Sequence, residues 1–186
     1  MSFGIAGGLA AHLAPGAGIV ARAVVTTTGR IDCHPEWNAQ LLRALPAAIH
    51  ADIVGVRAPV VTPQDKRELT LSSGAVAVDM ESLFVAEAAA AHGLPFSAIR
   101  VVADPCERAL PPAARIPLRA DGRPDLPAVM QSILAQPGQV GALIRVAKDV
   151  RIARAALADA RRRLDLPGLN FPDVMDGLHG WAPAAL

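Results

Sequence analysis

The chain has 186 residues, a formal net charge of +1, and 52% hydrophobic but only 3% aromatic residues, with no tyrosine. That length suits one domain with an aliphatic core of Val, Leu, Ile and Ala, and the near-neutral charge supplies no whole-chain field for nucleic acid, so no such partner is expected. Cys33 and Cys106 make no spaced pair and read as reduced thiols, no Lys or Arg precedes Arg22, and no apolar run reaches roughly 18–20 residues; a cytoplasmic protein without signal or membrane span is therefore expected.

Residues 1–5 read as a strand entering a glycine-rich bend at 4–8, and Pro15-Gly16 reads as a turn. A β-rich stretch at 19–27 follows. Residues 36–51 place Leu41, Leu42, Leu45 and Ile49 on one helical stripe, kinked or ended at Pro46. The stretch 53–61 is strand-like and 63–71 a short helix. Residues 74–78 read as a buried strand, 81–92 as a helix stopped at Gly93, and 96–102 as another buried strand. Past Asp104 the prolines 105, 111, 112 and 117 lead to a turn at Asp121-Gly122. Helices are expected from Pro124 to Gln136 and from Gln139 to Leu164, and 166–186 reads as a loosely structured tail. Alternating strands and helices over 1–165 predict one α/β domain with a mostly parallel central sheet flanked by helices. In such sheets ligands lie beyond the carboxyl ends of strands, which singles out residues 4–8, 79–81 and 104.

Each of these places has a structural and a chemical reading. Asp79 suits a helix N-cap and Glu81 complements the helix dipole; alternatively, the two oxygens of Glu81 grip a diol while Met80 packs against a sugar face. Strand periodicity puts Arg100, Val102 and Asp104 on one face, with Arg100 too far from Asp104 for an ion pair. Asp104, before Pro105, suits an Asx turn or, if burial raises its pKa, a general acid. Gly4-Ile5-Ala6-Gly7-Gly8 fits neither the dinucleotide fingerprint nor a phosphate loop; it reads as a tight turn or as backbone approaching a ligand closely. The five histidines show no ligand spacing, so no metal is expected. His34-Pro35-Glu36 reads as a turn into a helix. The basic residues of 139–164 (Arg145, Lys148, Arg151, Arg154, Arg161, Arg162, Arg163) suit a solvated face or contact with a membrane surface.

Taken in order, Gly-Ile-Ala-Gly-Gly-Leu ending a strand, Val-Asp-Met-Glu-Ser opening a helix and Arg-Val-Val-Ala-Asp ending the next strand resemble the purine nucleoside phosphorylase/nucleosidase family. The segments 104–113 and 121–126 resemble its hopanoid-associated phosphorylase branch, thought to remove adenine from adenosylhopane; the resemblance covers residues 1–160. It implies a three-layer nucleoside phosphorylase-like fold and cleavage of a purine N-glycosidic bond, with phosphate or water as co-substrate and no cofactor. In that scheme Asp104 protonates the leaving base at N7, Glu81 holds the ribose hydroxyls, Met80 packs beneath the sugar, Ala6 and Gly7 lie along the nucleoside, Asp79 belongs to the sugar side, and Arg100 organises the polar end. A homo-oligomer, a lipid-linked nucleoside and peripheral contact with the inner membrane face are the implied partners. A methylthioadenosine or adenosylhomocysteine nucleosidase and a non-catalytic nucleoside-binding member are the alternatives. The chain departs from the family pattern at Ala103, where relatives often carry Ser, and at Asp79, where many have Glu. The family's sheet also begins with strands upstream of the glycine-rich segment that carry the phosphate-binding or water-activating groups. The 186-residue chain is thus expected to lack those strands and to have little or no activity by itself.

Overall fold

The computed structural model describes residues 1–27, 29–116 and 125–164; the turn expected at Asp121-Gly122 and the expected tail lie outside them. Six strands are formed, β1 (Ser2–Gly8), β2 (Gly18–Thr26), β3 (Gly29–Asp32), β4 (Ile49–Gly55), β5 (Ala77–Asp79) and β6 (Ala98–Asp104). Five α-helices accompany them, α1 (Pro35–Ala44), α2 (Pro63–Ser73), α3 (Ser82–Ala91), α4 (Leu126–Ala135) and α5 (Val140–Leu164), with 3-10 turns at Pro112–Arg115 and Pro137–Gln139.

Three helices start on one local recipe, a capping side chain with proline in the first turn, where its missing N–H is no loss. His34 Nδ1 accepts from the Trp37 amide at 3.4 Å ahead of α1, Thr62 from the Asp65 amide at 3.1 Å ahead of α2, and Asp125 from the Ala128 amide at 3.2 Å ahead of α4. His34 is thereby accounted for as a cap. Helix α2 ends on Gly74, whose φ of 66° is the left-handed cap conformation.

Several expected boundaries move. Helix α1 stops at Ala44, because the residue before a proline is pushed out of the helical region, and Ile49 belongs to β4, paired with Ile19. Gly74 caps a helix instead of opening a strand, which shortens β5 to three residues. The short hairpin strand β3 has no counterpart among the expected elements. Residues 4–8 do not bend: they continue β1, held in register with β6.

The strand order is β3-β2-β4-β5-β1-β6, and β6 also pairs with the start of β2, so the sheet curls back on itself. Pairs β1/β6, β2/β4 and β4/β5 are parallel; β1/β5, β2/β3 and β2/β6 are antiparallel. The α/β class with a central sheet and flanking helices is as expected, with a mixed sheet where a mostly parallel one was anticipated.

Strand alternation sorts the core into two layers on either side of the sheet. Ile19, Ala21, Ala98 and Val102 pack with Ala86 of α3. Val20 and Ile99 pack with Leu41 of α1 and Ala160 of α5, and Val101 and Ala103 pack with Ala153 of α5. Helix α3 can approach β4 so closely because residue 55 is glycine: a Cβ there would lie 2.7 Å from Leu83 Cβ. That approach sets the start of α3 at the strand ends.

Candidate active site

At the carboxyl ends of β1, β5 and β6 lies a cleft of about 320 Å3, within the size range of small-molecule sites. Its polar side is made by Asp79, Glu81 and Asp104, with Met80 and the backbone of Ala6 and Gly7; Val56, Val60, Leu110, Val146 and Val150 furnish the apolar wall. Glu81 and Asp104 are separated by 23 positions in sequence yet face one space. Arg100, alone among the expected site residues, does not line it.

Asp104 owes its aim to an irregularity. β1 and β6 run in regular register through Ala6 opposite Val102, and then the register shifts so that Gly7 lies opposite Asp104. Ala103 is the extra residue of a bulge, which re-aims the side chain beyond it, and both Ala103 and Asp104 border the cleft. Burial pushes the Asp104 carboxyl above its ordinary value, against the pull of the Lys66 ammonium, Nζ of which lies 2.5 Å from Asp104 Oδ2. The Lys66 side chain is fully buried while that of Asp104 is 18% exposed.

Asp79 does a different job. Its Oδ2 accepts from Arg100 Nε at 2.7 Å and Nη2 at 2.6 Å, and from the amides of Ser82 at 2.8 Å and Glu81 at 3.3 Å. Arg100 also donates to Ser2 Oγ at 2.6 Å and to the Ile99 carbonyl at 2.9 Å. Both side chains are 1% exposed, so this is a buried pair that ties β6 and β1 to the first turn of α3. Asp79 thus accepts from the first amides of α3, whose N-cap position is Glu81, and Arg100 lies behind Asp79, off the cleft. Asp79 Oδ1 and Ser82 Oγ, also buried, accept or donate no hydrogen bond among the described residues. Glu81, by contrast, is exposed at the cleft with no hydrogen bond or ion pair described for its side chain.

Sequence reasoning missed Lys66. It sits in α2, 38 positions before Asp104, and nothing in its local pattern distinguishes it from a solvated helix lysine. The apolar wall was equally hidden, because Val146 and Val150 lie on a helix that reads as basic.

The sequence profile of the phosphorylase superfamily matches residues 1–121, which contain every polar residue of the cleft. The chain belongs to that superfamily. No curated protein matches it. Among solved structures, the fold is similar to a 5'-methylthioadenosine/S-adenosylhomocysteine nucleosidase from Neisseria meningitidis in complex with methylthio-immucillin-A (18% identity, 88% of this chain and 66% of that one, TM-score 0.61). It is similar also to such a nucleosidase from Colwellia psychrerythraea in complex with adenine (21% identity, 55% and 52%, TM-score 0.52) and to the futalosine hydrolase of Helicobacter pylori (17% identity, 84% and 66%, TM-score 0.52). The chain thus spans between about half and two thirds of these structures' own length. As a superfamily member it places its motifs at one rim of the sheet.

Proposed function

We propose that this protein cleaves the N-glycosidic bond of a purine nucleoside at the cleft between β1, β5 and β6. The observation that carries the reading is that Glu81 and Asp104 share one cleft in different surroundings: an exposed side chain with no partner described, and a buried carboxyl with raised proton affinity at the bulge. Bond cleavage leaves positive charge on the ribose and negative charge on the departing base. Asp104, holding a proton, donates it to the base at N7 and thereby stabilises the leaving group. Glu81 accepts hydrogen bonds from the ribose hydroxyls, and its negative charge grows in value as the sugar becomes oxocarbenium-like. Met80 covers the sugar face, and the side-chain-poor backbone of Ala6 and Gly7 admits the nucleoside edge-on. As the bond to the base breaks, water, which releases a proton to solvent, or phosphate bonds to the anomeric carbon on the opposite face, and Asp104 regains a proton from solvent. The likeness to nucleosidases with adenine and methylthio-immucillin-A supports adenine as the base.

For the substituent on the sugar, the reading is a bulky apolar group, as in adenosylhopane. The cleft wall of Leu110, Ala114, Val146 and Val150 leads past the 3-10 turn at Pro112–Arg115 towards α4, whose Leu126, Met130 and Leu134 are 70%, 58% and 75% exposed. Gln139 fixes that arrangement, accepting from the Ala113 amide at 2.9 Å and donating to the Ser132 carbonyl at 2.7 Å. A small 5'-methylthio substituent, as in the nucleosidases of similar fold, is the competing reading.

The test follows adenine release from 5'-methylthioadenosine and from adenosine bearing a long apolar 5' group; where the 186 residues by themselves show the little or no turnover expected from their sequence, the Asp104 assignment is read from adenine binding instead. Calorimetry with adenine and each nucleoside measures occupancy separately from chemistry. Asp104→Asn is expected to lower kcat/KM by roughly 10²–10⁴-fold, the usual worth of a general acid. Since the protonated carboxyl is the active form, turnover should fall as pH rises through the Asp104 titration, and that limb should vanish in the variant. Unchanged turnover and unchanged adenine binding in Asp104→Asn would refute the assignment.

A further inference from the structure

Among the described residues, Lys66 is the one fully buried ammonium, it is paired with Asp104 of the cleft, and the proposed chemistry does not use it. It has three N–H donors and spends all three on the segment that carries the acid: Asp104 Oδ2 at 2.5 Å, the Pro105 carbonyl at 2.9 Å and the Arg108 carbonyl at 3.3 Å. The segment is tied down as well just ahead of α2, where the Leu110 amide donates to the Val61 carbonyl at 3.0 Å. Ala103, next to the acid, has no side-chain donor that could orient it.

We propose that Lys66 is a positioning residue that clamps one oxygen of Asp104 against α2, leaves the other for the ligand, and sets how readily Asp104 takes up a proton. The proposal rests on the nucleosidase reading for its catalytic consequence, though not for its geometry. The physics is a contest between two effects. Burial disfavours the Asp104 carboxylate, and a buried ammonium favours it, because Lys66 is costly to leave without a charged partner. Other charges act on the same carboxyl more weakly: Arg108 from the following segment favours the carboxylate and Asp149 of α5, paired with Arg108, opposes it, while Asp79 and Glu81 border the same cleft. Asp79 is neutralised by Arg100 and Arg108 is shared with Asp149, so Lys66 is the charge that decides. An acid balanced in this way can hold a proton when the cleft is occupied and regain it afterwards.

Lys66→Met removes the charge and keeps the stem, while Lys66→Gln keeps a donor for the backbone carbonyls and protects against failure to fold; circular dichroism checks both. The Asp104 side-chain carboxyl is followed by carbon-13 NMR across pH, its signal assigned by its loss in Asp104→Asn. In either Lys66 variant the Asp104 midpoint should move to higher pH, Lys66→Arg should return it towards the wild-type position, and the alkaline limb of adenine release should shift with it. For Lys66→Gln, kcat on the acid plateau, where Asp104 is protonated in both proteins, should fall by roughly tenfold with KM little changed, a smaller loss than removal of the acid. A folded variant whose Asp104 midpoint stays where it was overturns the proposal. A midpoint that moves while adenine binding is independent of pH in both proteins supports the clamp and counts against the nucleosidase reading.

Discussion

Three carboxylates meet in one cleft, and their surroundings assign each a separate task. Asp79 is consumed by Arg100 and two helix amides, Asp104 is held by a buried lysine, and Glu81 has no competing partner described. The distinction is testable by separating stability from function. Asp79→Ala leaves Arg100 buried without its counter-ion and is expected to cost roughly 3–5 kcal/mol in urea unfolding. Glu81→Gln touches no structural contact, so stability should stay within about 0.5 kcal/mol while nucleoside KM rises and adenine binding, which involves no sugar, is retained. Loss of adenine and nucleoside binding together in Glu81→Gln would show that this side chain does not grip the sugar. Residue types at the right offsets made Asp79, Met80, Glu81 and Asp104 legible in the sequence. Lys66 was illegible, because its significance arises only when α2 is laid against the end of β6. Arg100 was legible as part of a motif, but its partner was not: strand periodicity states which face a side chain takes, not which strand lies beyond it.

At the scale of elements, the close contact between β4 and α3 carries the site. Gly55 is the residue that permits it, since any Cβ there would overlap both the Leu83 side chain and its backbone. Gly55→Ala should therefore destabilise the fold by roughly 1–3 kcal/mol, the usual cost of overpacking, and displace the start of α3. A thermal melt together with nucleoside affinity checks this: a variant as stable and as tightly binding as the wild type would mean that α3 tolerates displacement. Helix starts near Glu36 and at Pro63 were readable because a proline leading into a helical run is a local signal, although the Thr62 cap emerged only in the structure. Strand ends were less so. Residues 4–8 look like a turn by composition, yet pairing with the neighbouring strands β6 and β5 overrides the local preference of glycine. The mixed strand directions likewise follow from the curl that joins β6 to β2, a long-range fact with no local signature.

For the molecule as a whole, charge and apolar surface are unevenly spread despite a net charge of only +1. Arg145, Lys148, Arg151 and Arg154 are exposed along α5, and Ile144 and Met130 are 65% and 58% exposed nearby in sequence. Asp149 and Asp159, which would offset that charge, are engaged with Arg108 and with Arg162 and Arg163. Among the described residues no helix is long and apolar enough to cross a membrane. Contact with an anionic lipid surface, if the substrate is lipid-linked, would be peripheral and sensitive to salt. Vesicles containing anionic lipid should retain the protein at low ionic strength and release it at high, and replacing those four cations by Gln should abolish retention. Retention unaffected by the replacements would assign it to another surface. The basic run was visible in the sequence, whereas the aliphatic wall on the same helix emerges only once α5 is wrapped over β1 and β6.

The bulge at Ala103 has a consequence for how this rim can vary. There, two residues of β6, Ala103 and Asp104, share the space opposite Gly7, and both border the cleft. Deleting residue 103 would restore regular pairing with the acid still opposite Gly7, so the change expected is in the angle of its side chain towards the cleft and Lys66 rather than in the face it takes. Chain length, as well as side-chain chemistry, thus tunes the acid at this rim.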